Sequence, residues 1–132
     1  MICIRRSAAD ALIAHAKSEA PLECCGLLVG QPGLVERVVP ATNVRASEVS
    51  YLIDPRDHFA AIRAARTEGL GVIGGYHSHP RSEALPSPTD LAESAGEEFL
   101  YVIAAPAFRG GWRLGGFFLS GNFIEVPIVP VP

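Results

Sequence analysis

Leu70-Gly71-Val72-Ile73-Gly74-Gly75-Tyr76-His77-Ser78-His79-Pro80 reads as one strand. Its β-branched and aromatic side chains favour a pleated, half-buried surface. Pro80 cannot donate to a ladder and ends it. Gly71, Gly74 and Gly75 imply a close approach of neighbouring backbone or of a ligand. Upstream, Asp54-Pro55 supplies an N-cap and a proline at the first helical position. Phe59, Ile62 and Ala65 are the expected buried stripe of that helix, and Gly69 ends it. Downstream, Ser87-Pro88 opens a further helix expected to reach Gly96. Phe99 to Ala104, Trp112 to Leu119 and Phe123 to Val129 read as three more strands.

At the other end, Met1 to Ile4 is a short first strand. Ser7 is then the expected N-cap of a helix, with Asp10 in capping-box position. Leu12, Ile13, Ala16 and Ala20 recur at helical spacing, and Pro21 stops the helix. Cys24 to Val29 is a buried strand. The turn Gln31-Pro32-Gly33 leads to its hairpin partner, Leu34 to Val39. Helices and strands interleave, so the fold class is α/β or α+β layered: a mixed β-sheet flanked by helices. At 132 residues and 48% apolar composition, the expectation is a single domain over residues 1–132.

Eleven basic against fourteen acidic side chains give a net charge of −3. That balance excludes the clustered positive charge of a nucleic-acid surface. No run approaches the ~20 apolar residues of a membrane span. The N-terminal segment carries Asp10, His15 and Lys17 and makes no signal-peptide core. Three cysteines, Cys3, Cys24 and Cys25, build no disulfide framework. A cytoplasmic location is the expectation. Cys24 and Cys25 are read as small buried hydrophobes.

The chemistry concentrates on His77 and His79. Residues i and i+2 of a strand share a face, so both imidazoles converge. Asp90 follows in the first turn of the helix begun by Ser87, and a short loop returns it to the strand end. Two imidazoles and a carboxylate form a three-ligand zinc set with an open fourth position, the pattern of a catalytic site. Such an ion lowers the pKa of bound water toward ~7 and polarises a carbonyl. A further carboxylate must then move the proton. Glu23, opening an apolar segment, is the first choice; Glu19 and Glu83 remain alternatives. Ser87 is a donor for an oxyanion, though Ser87-Pro88-Thr89-Asp90 is also an ordinary capping box. His15 and His58 lack ligand spacing. Arg56, Arg63 and Arg66 are read as a solvated helix face.

These residues resemble the MPN/JAMM metalloproteases, whose signature is a Glu followed by His-x-His, seven residues, Ser, two residues, Asp. His77-Ser78-His79-Pro80 and Ser87-Pro88-Thr89-Asp90 reproduce that spacing, with Glu23-Cys24-Cys25-Gly26-Leu27-Leu28-Val29-Gly30 upstream. The resemblance covers roughly Ser7 to Val126. It implies a cytidine-deaminase-like layout, one Zn2+ per chain on His77, His79 and Asp90, Glu23 as acid/base and Ser87 on the oxyanion. It also implies an amide-cleaving hydrolase acting after the C-terminal glycines of a ubiquitin-like or sulfur-carrier protein. The short chain resembles the stand-alone bacterial type. The alternative is a non-catalytic module that binds such a tail. Asn43 stands where the family often has an Asn, and by itself reads as a turn residue. The free edges and the Gly-rich segment before His77 suggest that a substrate tail adds as a strand beside the metal.

Overall fold

The computed structural model describes residues 1–132. The elements run β1 (Ile2–Arg5), α1 (Arg6–Glu19), β2 (Cys25–Gln31), β3 (Leu34–Ala41), α2 (Pro55–Thr67), β4 (Gly71–Ser78), α3 (Pro88–Ala92), β5 (Leu100–Pro106), β6 (Trp112–Leu119), β7 (Phe123–Val126) and β8 (Ile128–Val131). All eight strands join one mixed sheet in the order β7-β6-β5-β4-β2-β3-β1-β8. β4–β5, β1–β3 and β1–β8 are parallel, and the other pairs antiparallel. This is the mixed sheet with helices that the sequence pattern implies. No helix is long and apolar enough to cross a membrane.

Strand alternation sorts the side chains onto two faces. Along β5, Leu100, Val102 and Ala104 join the core around α1, with Leu12, Ala16, Ile4, Leu28 and Tyr76. Tyr101, Ile103 and Ala105 face the other way and pack with Ala84, Phe117 and Leu119. Tyr76 is opposite Val102 and His77 is opposite Ile103. Tyr76 is therefore committed to the α1 side, and the period of two turns His77 to the opposite face.

The terminal strands differ from the expected single strand Phe123 to Val129. Pro127 breaks it, and the two halves pair at opposite ends of the sheet order, β7 with β6 and β8 with β1. The Pro127 carbonyl accepts from Ile2 N–H at 2.9 Å. Consecutive strands can occupy both edges only because the sheet curls until its ends meet at this corner.

Three local expectations change. The first helix starts at Arg6 with Arg5 as N-cap and no side-chain cap, so Ser7 does not cap it. Phe59 is 63% exposed, whereas Ala61 and Ala65 are buried. Small residues let α2 lie close on the sheet, and the phenylalanine points outward. The helix begun by Ser87 ends at Ala92, well short of Gly96. Its N-terminus does carry the full capping box, with Ser87 Oγ accepting from Asp90 N–H at 3.1 Å.

Candidate metal centre

β4 is a central strand, paired with β2 on one side and β5 on the other. Gly74 and Gly75 serve that pairing, whereas nothing approaches Gly71. A Cβ on Gly74 would stand 2.0 Å from the Leu100 carbonyl oxygen, and one on Gly75 would meet the Phe99 ring. From Gly74 to His77 β4 is paired on both sides, so a substrate tail cannot add as a strand directly beside that stretch.

His77, the last residue but one of β4, is fully buried, and His79 follows the strand at 4% exposure. The His79 amide donates to the Ala104 carbonyl at 2.8 Å, which carries the sheet direction one step past the strand. The two Nε2 atoms lie 3.1 Å apart. Asp90 Oδ2 stands 3.1 Å from His77 Nε2 and 3.2 Å from His79 Nε2. The capping box fixes this carboxylate, because Ser87 N–H donates to the same Oδ2 at 2.9 Å. Glu23, buried two residues ahead of β2, brings its carboxylate within 4.8 Å of the ring nitrogens of His77 and His79. Its amide donates to the Ser47 carbonyl at 2.8 Å, and its carbonyl accepts from Asn43 Nδ2 at 3.1 Å. The candidate residues Glu23, His77, His79, Ser87 and Asp90 therefore occupy one locality, whereas Glu83 offers it only a backbone carbonyl. His15 is engaged elsewhere, with Nδ1 2.8 Å from the Tyr76 hydroxyl.

The donor set suits a divalent cation of zinc's type. His79 Nδ1–H donates to the Glu83 carbonyl at 2.8 Å. In the neutral ring this leaves Nε2 as a bare lone pair, aimed at another imidazole nitrogen and a carboxylate oxygen. With neutral rings only His77 has a proton left to place among these three atoms, and a cation there would engage all three at once. Glu23 Oε1 is buried without a hydrogen-bond partner.

The carboxylates are tuned in opposite directions. Burial pushes Glu23 up to about 7, opposed by His79 and reinforced by Asp90. Burial also acts against Asp90 ionising, but its hydrogen bonds to His77 and His79 prevail and hold it well below the usual carboxylate range. Burial lowers His77. Burial opposes a charged His79 too, yet the Asp90 and Glu83 hydrogen bonds win and raise it. The thiols of Cys24 and Cys25 are pushed by burial to about 11 and about 12, so neither is a thiolate donor at neutral pH.

Residues 5–115 match the family of prokaryotic homologs of the JAB domain. The chain belongs to that family. It is 46% identical over 82 residues to a probable TtuB-protein conjugate cleaving protease of Thermus thermophilus, a match covering 61% of this chain and 55% of that protein. It is 32% identical to a desampylase of Haloferax volcanii, covering 82% and 83% of the two chains. It is 33% identical to a CysO-cysteine peptidase of Mycobacterium tuberculosis, covering 80% and 73%. Among solved structures, a Desulfitobacterium hafniense protein superposes with a TM-score of 0.89 at 29% identity, covering 99% of this chain and 93% of that one. A JAB1/MPN domain protein of Archaeoglobus fulgidus shares the fold, with a TM-score of 0.59 at 21% identity over 98% and 99%.

Tyr51 escapes the sequence pattern, and Asn43 enters it only through the resemblance. The Tyr51 ring stacks on His77, with centroids 4.2 Å apart and planes at 22°. Asn43 holds the loop that carries it. Nδ2 donates to the Ser50 carbonyl, and Oδ1 accepts from the amides of Arg45 and Leu52, each at 3.1 Å. No spacing rule reaches Tyr51. Asn43 by itself reads as a turn residue, and only the family resemblance points to it. Beside the cluster, a cavity of about 190 Å³ is lined by Tyr51, Leu52, Asp90, Phe99 and Tyr101, among others. A larger cavity, about 780 Å³, opens near Val72 and Ile73 and touches none of these ligand candidates.

Proposed function

We propose that the chain is a zinc-dependent peptidase or isopeptidase that cuts the amide bond after the C-terminal glycines of a ubiquitin-like or sulfur-carrier protein. The observation that carries this reading is the convergence of His77, His79 and Asp90 on one point, with a partnerless Glu23 oxygen beside it. The relatives' own activities, on TtuB conjugates and on CysO-cysteine, support the substrate class.

His77, His79 and Asp90 would hold the metal. A bound zinc ion supplies Lewis acidity, which polarises the scissile carbonyl and acidifies water. The division of labour between the carboxylates follows from their surroundings. A ligand must stay ionised, which Asp90 does. A proton carrier works best near the operating pH, and in the metal-free chain burial raises Glu23 to about 7. Glu23 takes a proton from the attacking water and returns it to the departing amine. Ser87 Oγ accepts from the Asp90 amide, so its hydroxyl hydrogen is free to donate to the developing oxyanion. Such a donor contributes about 2.7–4 kcal/mol in the transition state. With β4 paired on both sides from Gly74 to His77, the tail approaches the site over the strand ends. The crowding there favours glycine, since each added side chain would compete with the ligands for space.

The test is cleavage of a carrier ending in Gly-Gly fused to a reporter peptide. Glu23→Gln is expected to lose about 10²–10⁴-fold in rate while retaining zinc. Unchanged cleavage by Glu23→Gln would remove Glu23 from the chemistry. Binding of the tail by zinc-loaded wild type without any cleavage would favour a binding module instead.

A further inference from the structure

We infer that Tyr51 is a positioning residue that holds the His77 imidazole for the metal, doing by ring stacking what a hydrogen bond does for His79. The inference rests on the metal reading above and adds a residue to it. A histidine that binds metal almost always donates its second ring N–H to an acceptor, which fixes ring orientation and tautomer. His79 obeys this through the Glu83 carbonyl. His77 does not: its ring is fully buried, and Nδ1 has no hydrogen-bond partner. A histidine's outer torsion is broad, so an unanchored ring loses its aim.

Packing supplies the missing constraint. Cys25 and Ile103 flank His77 by strand register, and His79 meets the ring edge-on at 4.8 Å. One face is covered by Tyr51, nearly parallel at 4.2 Å. Tyr51 is delivered by a fixed backbone. Asn43 pins Ser50 and Leu52, the residues on either side of it, and pairs with Ile53 through an isolated bridge. Arg45 in the same loop forks onto Glu93 at 3.0 and 2.8 Å, tying the loop to the end of the helix that carries Asp90. The flat ring acts here, and the hydroxyl does not.

The experiment measures zinc affinity by competition with a chromophoric chelator for wild type, Tyr51→Phe, Tyr51→Leu and Tyr51→Met. Zinc-free melting is followed for each, and affinities are compared at a temperature where all are folded. The Leu and Met variants back each other up if one fails to fold. Phe is expected to bind within about twofold of wild type, and Leu and Met about 10–100-fold more weakly. Leu and Met variants that bind as tightly as wild type overturn the role of Tyr51 while leaving the metal site standing. A Phe variant as weak as Leu overturns the stacking explanation. A wild-type chain that takes up no zinc overturns both this inference and the reading beneath it.

Discussion

Replacing Glu23 by Gln is expected to make the zinc-free protein more stable, and only above the acid range. Glu23 is 5% exposed, and Oε1 has no partner. Its ordinary pKa of 4.5 rises to about 7, chiefly through burial. Between those values the folded chain holds a proton that the unfolded chain has released. Stability therefore falls as pH rises through the window, and the deficit persists above it. Such a displacement corresponds to roughly 3 kcal/mol at pH 8 and under about 1 kcal/mol at pH 5. Gln removes the charge at similar volume, and a buried neutral amide is comparable to the buried neutral acid. In a chain of this size the gain at pH 8 amounts to about 10 °C in Tm, shrinking to about 3 °C at pH 5. The assay is thermal unfolding of both proteins in a metal chelator at the two pH values. Taking the difference between variants cancels the other titrating groups to first order. A Glu23→Gln protein no more stable than wild type at pH 8, or a difference that ignores pH, would refute the argument that burial strains this carboxylate.

Three further substitutions probe the frame around the site. Gly74→Ala forces a Cβ onto the Leu100 carbonyl, where neither backbone can yield without parting β4 from β5. A loss of about 2–3 kcal/mol is expected as a lower urea midpoint with unchanged slope, and an unmoved midpoint contradicts it. Asn43→Ala removes four side-chain hydrogen bonds that organise the Tyr51 loop. It should cost about 1–3 kcal/mol and speed amide exchange at Leu52, whose protection would otherwise persist. Arg45→Ala breaks an ion pair whose side chains are 34% and 43% exposed, so it should cost less than about 1 kcal/mol in the same urea titration.

The strand around His77 was legible because the information is local. Period-two geometry joins His77 to His79, and the Ser87-Pro88 cap places Asp90 one turn into a helix. The mixed sheet followed from the same alternation. What escaped was set over longer distances. Nothing near Phe123 to Val129 announces that one half pairs with β6 and the other with β1; the corner at Pro127 exists because the sheet curls. Phe59 has helical spacing for a core position, but the sheet admits only alanines at that contact. Tyr51 lies on a loop with no periodicity, and its stacking on His77 depends on hydrogen bonds from Asn43. That no tail can add as a strand directly beside Gly74 to His77 is hidden for a similar reason, since pairing on both sides of that stretch is a property of the whole sheet.

The central claim is the metal centre, and elemental analysis of purified wild type, His77→Ala and Asp90→Ala addresses it directly. One zinc per wild-type chain, lost in both variants, is the expected result. Wild type without metal after zinc has been restored, or variants that keep it in full, would contradict the account.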